Sequence, residues 1–182
     1  KLSEEKNTLA RILRGRADLH PERLAFRYLQ DHESESLTIN FGELDRRARA
    51  IGAWLESFNA KGERALILYP PGLDYIAAFM GCLYAGVTAV PAYPPRLNRP
   101  APRIQSIVDD SHAAFALTTT NILSNIEKRF EHAPDLKALH WLNTEQVPAG
   151  LEADWRDPNV SPDTLAFLQY TSGSTSQPKG VM

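Results

Sequence analysis

The sequence has a single cysteine, Cys82, which excludes an internal disulfide. Its neighbours Met80, Gly81 and Leu83 make it a small buried hydrophobe rather than a nucleophile. Close metal-ligand spacing is also missing. His20, His32, His112, His132 and His140 are scattered relative to one another and to Cys82, which predicts no metal site built from this chain alone. No excess of one charge exists either: the formal net charge is −2, and Lys and Arg are interspersed among acids. Such a chain has no electrostatic footprint for nucleic acid or an anionic membrane, so a phosphate-bearing ligand must be held locally. The last absence is a membrane span. Tyr75 to Tyr93 carries no charge, but a spanning helix needs roughly 20 apolar residues. Gly81 and Gly86 interrupt this run, Pro91 closes it, and Val87-Thr88-Ala89-Val90 has strand character. The start, Lys1-Leu2-Ser3-Glu4-Glu5-Lys6, lacks the apolar core of a signal peptide, so a cytoplasmic location is expected.

What is present is the material of a folded domain. The 182 residues are 43% hydrophobic, enough to bury a sizeable core. Leu24 to Tyr28 and Leu37 to Ile39 read as short strands joined by a polar turn. A helix follows, with Asn40 as cap, Glu43 three residues on, and Phe41, Leu44, Ala48, Ile51, Leu55 and Phe58 at helical spacing. Glu43, Asp45, Arg46, Arg47 and Arg49 fall mostly on its other face. Arg64 to Tyr69 is a short, almost continuous apolar run, as in a strand buried on both faces, and Pro70-Pro71-Gly72 ends it. A helix from about Asp74 to Tyr84 and a strand from Val87 to Val90 complete a βαβ crossover. The alternation continues with a helix over Arg103 to Asp110, a strand over Ala113 to Thr118, a helix over Asn121 to Phe130 and a strand over Ala138 to Leu142. It predicts an α/β fold with a doubly wound, mainly parallel sheet flanked by helices. Asn143 to Asp163 is expected to be a surface connection with little regular structure.

Chemistry concentrates at the far end. Thr164 to Gln169 reads as a last strand that runs into Tyr170-Thr171-Ser172-Gly173-Ser174-Thr175-Ser176-Gln177-Pro178-Lys179-Gly180. Open α/β sheets bind ligands outside the carboxyl ends of their strands. Small hydroxyl residues let the backbone close around phosphate oxygens, and glycines permit dihedrals that turn several N–H groups inward. Lys179 adds a point charge for a polyphosphate. A plain Ser/Thr/Gly linker is the bland alternative, and the strand entry and the Pro178-Lys179-Gly180 ending stand against it. A Walker loop is excluded, because it needs Gly-Lys followed by Ser or Thr.

The stretch from Tyr170 to Met182 is similar to the signature loop of the adenylate-forming superfamily, the acyl-CoA ligases, luciferases and peptide-synthetase adenylation domains. Leu37-Thr38-Ile39-Asn40-Phe41-Gly42-Glu43-Leu44 resembles that family's entry to its first long helix, and Gly81 to Pro91 resembles its Gly-containing helix, turn and strand. Tyr69-Pro70-Pro71-Gly72-Leu73-Asp74-Tyr75-Ile76, Val90-Pro91-Ala92-Tyr93-Pro94-Pro95 and the Leu168-Gln169-Tyr170 entry look like fatty acyl-AMP ligases. One residue departs from the superfamily pattern, Ser176 where Gly is usual. A left-handed conformation at Ser would cost roughly 1 kcal/mol, and fatty acyl-AMP ligases often replace that Gly.

The resemblance implies that residues 1–182 are the amino-terminal part of an AMP-binding domain. It further implies that Thr171, Ser172, Gly173, Ser174, Thr175, Ser176 and Lys179 hold the β- and γ-phosphates of ATP while a fatty acid carboxylate attacks the α-phosphorus. The products would be an acyl-adenylate and pyrophosphate, and the acyl group would pass to the phosphopantetheine arm of an acyl carrier protein of a polyketide or lipopeptide synthase. No catalytic residue is assigned within this stretch. The groups for adenine and ribose, and most of the Mg²⁺ ligands, are expected in the remainder of the ligase chain, so these residues alone are expected to be inactive. An acyl-CoA or aryl-CoA ligase and a non-catalytic α/β docking module stay open as alternatives.

Overall fold

The computed structural model describes residues 8–29, 36–95, 102–131, 133–172 and 178–181. Its elements run α1 (Leu9–Leu19), β1 (Leu24–Leu29), β2 (Ser36–Asn40), α2 (Phe41–Glu56), β3 (Arg64–Leu68), α3 (Leu73–Tyr84), β4 (Thr88–Ala92), α4 (Pro102–Ser111), β5 (Phe115–Thr118), α5 (Thr120–Glu127), α6 (Pro134–Ala138), β6 (His140–Asn143), β7 (Gln169–Ser172) and β8 (Pro178–Val181). The central sheet has the order β4-β3-β5-β6, and every pairing in it is parallel. The chain adds β4 to one side of β3 and then β5 and β6 to the other, which is the doubly wound arrangement predicted.

β3 explains why the fold has two cores. Ala65 and Ile67 join the cluster built on α1, α2 and α3, and Leu66 and Leu68 join the one built on α4, α5 and α6. Both faces of the strand are therefore dry, which is what its unbroken apolar run requires. α2 begins as its sequence dictates, with the Glu43 N–H donating to Asn40 Oδ1 at 2.8 Å. It packs closely on α3 because Gly81 has no side chain: a Cβ there would stand 2.4 Å from Ile51 Cγ2.

Several expectations are corrected. α1 precedes the first expected strand, and Thr8 caps it by accepting from the Arg11 N–H at 3.2 Å. α6 occupies part of the stretch before β6, started by Pro134 at its first turn. Asp45 is not on the outer face of α2. It is 4% exposed and accepts from the Tyr84 hydroxyl and from Arg49 Nε, each at 2.8 Å, and from Arg14 Nη1 at 3.4 Å. The connection after β6 is bound to the domain as well as lying on it: Trp155 Nε1 donates to the Tyr84 carbonyl at 2.8 Å, and Arg49 Nη1 donates to the Glu152 carbonyl at 2.9 Å. The strand expected over Thr164 to Gln169 is reduced to one parallel bridge, Ala89 with Phe167. Two bonds form it, Ala89 N–H to the Ala166 carbonyl at 3.0 Å and Leu168 N–H to the Ala89 carbonyl at 2.9 Å. β7 and β8 then pair with each other, antiparallel, outside the central sheet.

Candidate functional site

The carboxyl ends of β3 and β5 mark the point where the winding reverses, the usual position of a ligand crevice. Here the chain's own residue bridges that position. The Tyr69 hydroxyl lies 3.2 Å from the Thr118 carbonyl and 2.7 Å from Thr144 Oγ1, while Thr118 Oγ1 donates to the Leu68 carbonyl at 2.9 Å. Burial holds the Tyr69 phenol well above the ordinary tyrosine range. The open space lies one strand over, in a cleft of about 460 Å³ at the carboxyl ends of β3 and β4, walled by β1, α4 and β7. Tyr28, Tyr69, Tyr75, Tyr93 and Tyr170 line it together with Arg27 and Arg103. The Pro70-Pro71-Gly72 break after β3 gives the cleft its floor: Pro71 and Gly72 line it, and a Cβ on Gly72 would meet nothing within 4 Å.

β7 and β8 form the hairpin that carries the predicted phosphate-binding residues. Its register pairs Gln169 with Val181, Tyr170 with Gly180, Thr171 with Lys179 and Ser172 with Pro178. Thr171 and Lys179 are thus directly across from each other, and Thr171 is exposed. Gly173, Ser174, Thr175 and Ser176 lie outside the described residues. The part played by Gly180 differs from the expected one. It is not among the glycines with positive φ; it supplies space, since a Cβ there would stand 3.2 Å from Cζ of the Tyr170 ring that lies over it.

Sequence reasoning missed what secures this hairpin. Tyr170 is 5% exposed, its hydroxyl donates to Asp110 Oδ2, and its carbonyl accepts from Arg103 Nη2 at 3.5 Å. Burial, then the bond to Asp110, pushes the Tyr170 phenol up to about 12. The only sequence signal for this was the seven-residue interval between Arg103 and Asp110, two turns along one face of a helix.

A parallel sheet whose strand ends frame a cleft, with the first strand of the hairpin on its wall through Gln169 and Tyr170, is a usual setting for a ligand site. Residues 13–182 match the family described as AMP-binding enzyme. The chain belongs to the AMP-binding enzyme family. It is 44% identical over 182 residues to the medium-chain fatty acid–acyl-carrier-protein ligase JamA of Moorena producens (strain JHB), an alignment covering 98% of this chain and 31% of that one. It is 35% identical over 174 residues to the long-chain fatty acid–AMP ligase FadD23 of Mycobacterium tuberculosis (strain CDC 1551 / Oshkosh), covering 94% of this chain and 30% of that one. Among solved structures it is similar to the fatty acyl-adenylate ligase from L. pneumophila in complex with acyl adenylate and pyrophosphate, with a TM-score of 0.86 and 35% identity. That similarity covers 96% of this chain and 30% of the other. This AMP-binding enzyme chain therefore spans about 30% of the length of the relatives it matches.

Proposed function

We propose that residues 1–182 form the amino-terminal part of the AMP-binding domain of a fatty acyl-AMP ligase and supply the pyrophosphate side of its ATP site. The carboxylate of a fatty acid attacks the α-phosphorus of ATP, forming an acyl-adenylate and releasing pyrophosphate. The thiol of a carrier protein's phosphopantetheine arm then takes the acyl group and releases AMP. The observation that carries this reading is the hairpin, which sets Thr171 opposite Lys179 in a chain 44% identical to an acyl-carrier-protein ligase. Thr171, Ser172, Gly173, Ser174, Thr175, Ser176 and Lys179 are the proposed phosphate ligands, with neutralisation of phosphate charge and alignment of the attack as their contribution.

Among the described residues no group of three or more His, Cys, Asp or Glu could hold a metal ion. The Mg²⁺ that accompanies ATP is assigned mainly to ligands elsewhere in the ligase. No helix among the described residues is long and apolar enough to cross a membrane, and a cytoplasmic location with a polyketide or lipopeptide synthase as recipient is part of the proposal. A coenzyme A acceptor is the second reading, favoured by 36% identity over 182 residues to a protein named as a putative fatty-acid–CoA ligase, FadD21 of Mycobacterium tuberculosis (strain ATCC 25618 / H37Rv).

Incubating the full-length protein with ATP and a fatty acid, and following acyl-adenylate by mass spectrometry, tests the first step. The adenylate is expected to accumulate, to persist when coenzyme A is added, and to be consumed when a phosphopantetheinylated carrier protein is added. Consumption by coenzyme A alone selects the second reading. No adenylate from any fatty acid refutes both.

A further inference from the structure

Among the described residues, the backbone bonds between the central sheet and the chain entering the hairpin are those of the single bridge of Ala89 with Phe167. β7 also packs on β4, and side-chain bonds tie it to α4. Arg103, Ile107 and Asp110 fall on one face of that helix, and Tyr170 spans the distance between the first and the last of them. Arg103 Nη2 donates to its carbonyl at 3.5 Å, and Asp110 Oδ2 accepts the hydrogen bond from its hydroxyl. Across the hairpin the same ring covers Gly180, where any side chain would push it away. Tyr170 thereby fixes both strands against α4 with one side chain, and the next residue along is Thr171, paired with Lys179.

We propose that Asp110 and Arg103, acting through Tyr170, are positioning residues that hold the phosphate-binding hairpin in the geometry ATP requires. The inference rests on the phosphate-binding reading given above. Neither α4 residue needs to touch ATP. Their effect is to settle the hairpin before the nucleotide arrives, so that binding does not have to order it. Without the clamp that ordering is charged against ATP affinity and not against the fatty acid.

The test is steady-state kinetics on the full-length enzyme, with KM for ATP and KM for the fatty acid measured separately. Tyr170→Phe keeps the buried ring and loses only the hydroxyl. Asp110 is exposed, so Asp110→Ala spares the core. Each variant is expected to raise KM for ATP about tenfold, the scale of one hydrogen bond to a charged group, with KM for the fatty acid unchanged. The double variant should be no worse than either single one, because both remove the same bond. Asp110→Asn keeps an oxygen that accepts the phenol proton and should recover most of the affinity. Loss of folded enzyme would lower kcat and leave both KM values in place.

Lys179→Ala separates the two levels of the argument. If it raises KM for ATP while Tyr170→Phe and Asp110→Ala leave that constant within about twofold, the clamp has no positioning role. Equal movement of both KM values overturns it too. If Lys179→Ala leaves ATP affinity unchanged, the phosphate-binding reading fails first, and the clamp's role in nucleotide binding falls with it.

Discussion

Replacing Asp45 by alanine removes one carboxylate from beneath three donors. Tyr84, whose ring is fully buried, loses the acceptor for its hydroxyl at 2.8 Å, and Arg49 loses its Nε bond at 2.8 Å but keeps the Glu152 carbonyl. Arg14 loses a longer contact and keeps its place over the Trp155 ring, 5.2 Å from the centroid. Breaking a buried charge pair from one side costs about 3–5 kcal/mol, the stranded phenol included. Tyr84→Phe withdraws a single donor from the carboxylate and leaves the ion pairs intact, which costs about 1.5–3 kcal/mol, the scale of a hydrogen bond to a charged group. Asp45→Ala is therefore expected to lower Tm about twice as far as Tyr84→Phe, read by scanning fluorimetry or circular dichroism on the full-length protein. Equal shifts for the two variants would refute the reasoning, because they would mean that water replaces the carboxylate without penalty.

Gly81→Ala should destabilise by about 1–2 kcal/mol despite the better helix former, since overpacking outweighs a propensity gain of about 1 kcal/mol; a more stable variant in urea titration would show that α2 and α3 are not in contact at Ile51. The Cys82 thiol, pushed up to about 12 by complete burial, should resist alkylation at about pH 8 and react only as the protein unfolds. Labelling of the native protein at the rate of a free thiol would contradict its burial. The Tyr170 phenol is raised from 10.0 to about 12 in the fold, so its contribution to stability is complete below about pH 10 and is lost as pH rises through about 12. Alkaline thermal melts of wild type should accordingly fall more steeply than those of Tyr170→Phe, and parallel curves would count against the shift.

Much of this architecture was legible because its cause is local. The apolar run of β3, the Asn40 cap of α2 and the Pro-Gly break after β3 each act within a few residues, and each appears in the structure where the sequence put it. Asp45 was misread for a physical reason. Helical periodicity sorts residues by polarity, and a carboxylate surrounded by donors from α1, α2 and α3 looks identical to a solvated one until those helices are assembled. The same holds for the site. Thr171 and Lys179 were legible as phosphate-binding types, but Tyr170, Asp110 and Gly180 depend on contacts between distant segments. The strand expected over Thr164 to Gln169 was given too many partners, because an apolar run does not report pairing: within it Leu168 is buried, Phe167 is exposed, and one bridge to Ala89 forms.

Pro91 has an effect on that strand that composition alone does not show. Ala89 turns its N–H and carbonyl to the outer edge of β4, so Pro91, two residues on, faces the same edge. A continuing parallel ladder would need the N–H of residue 91 to meet the Leu168 carbonyl, and proline has none to give. The pairing therefore stops after one rung, and the chain from Gln169 onward is left to zip onto β8. A missing hydrogen at the sheet's border thus decides where the scaffold ends and its working arm begins.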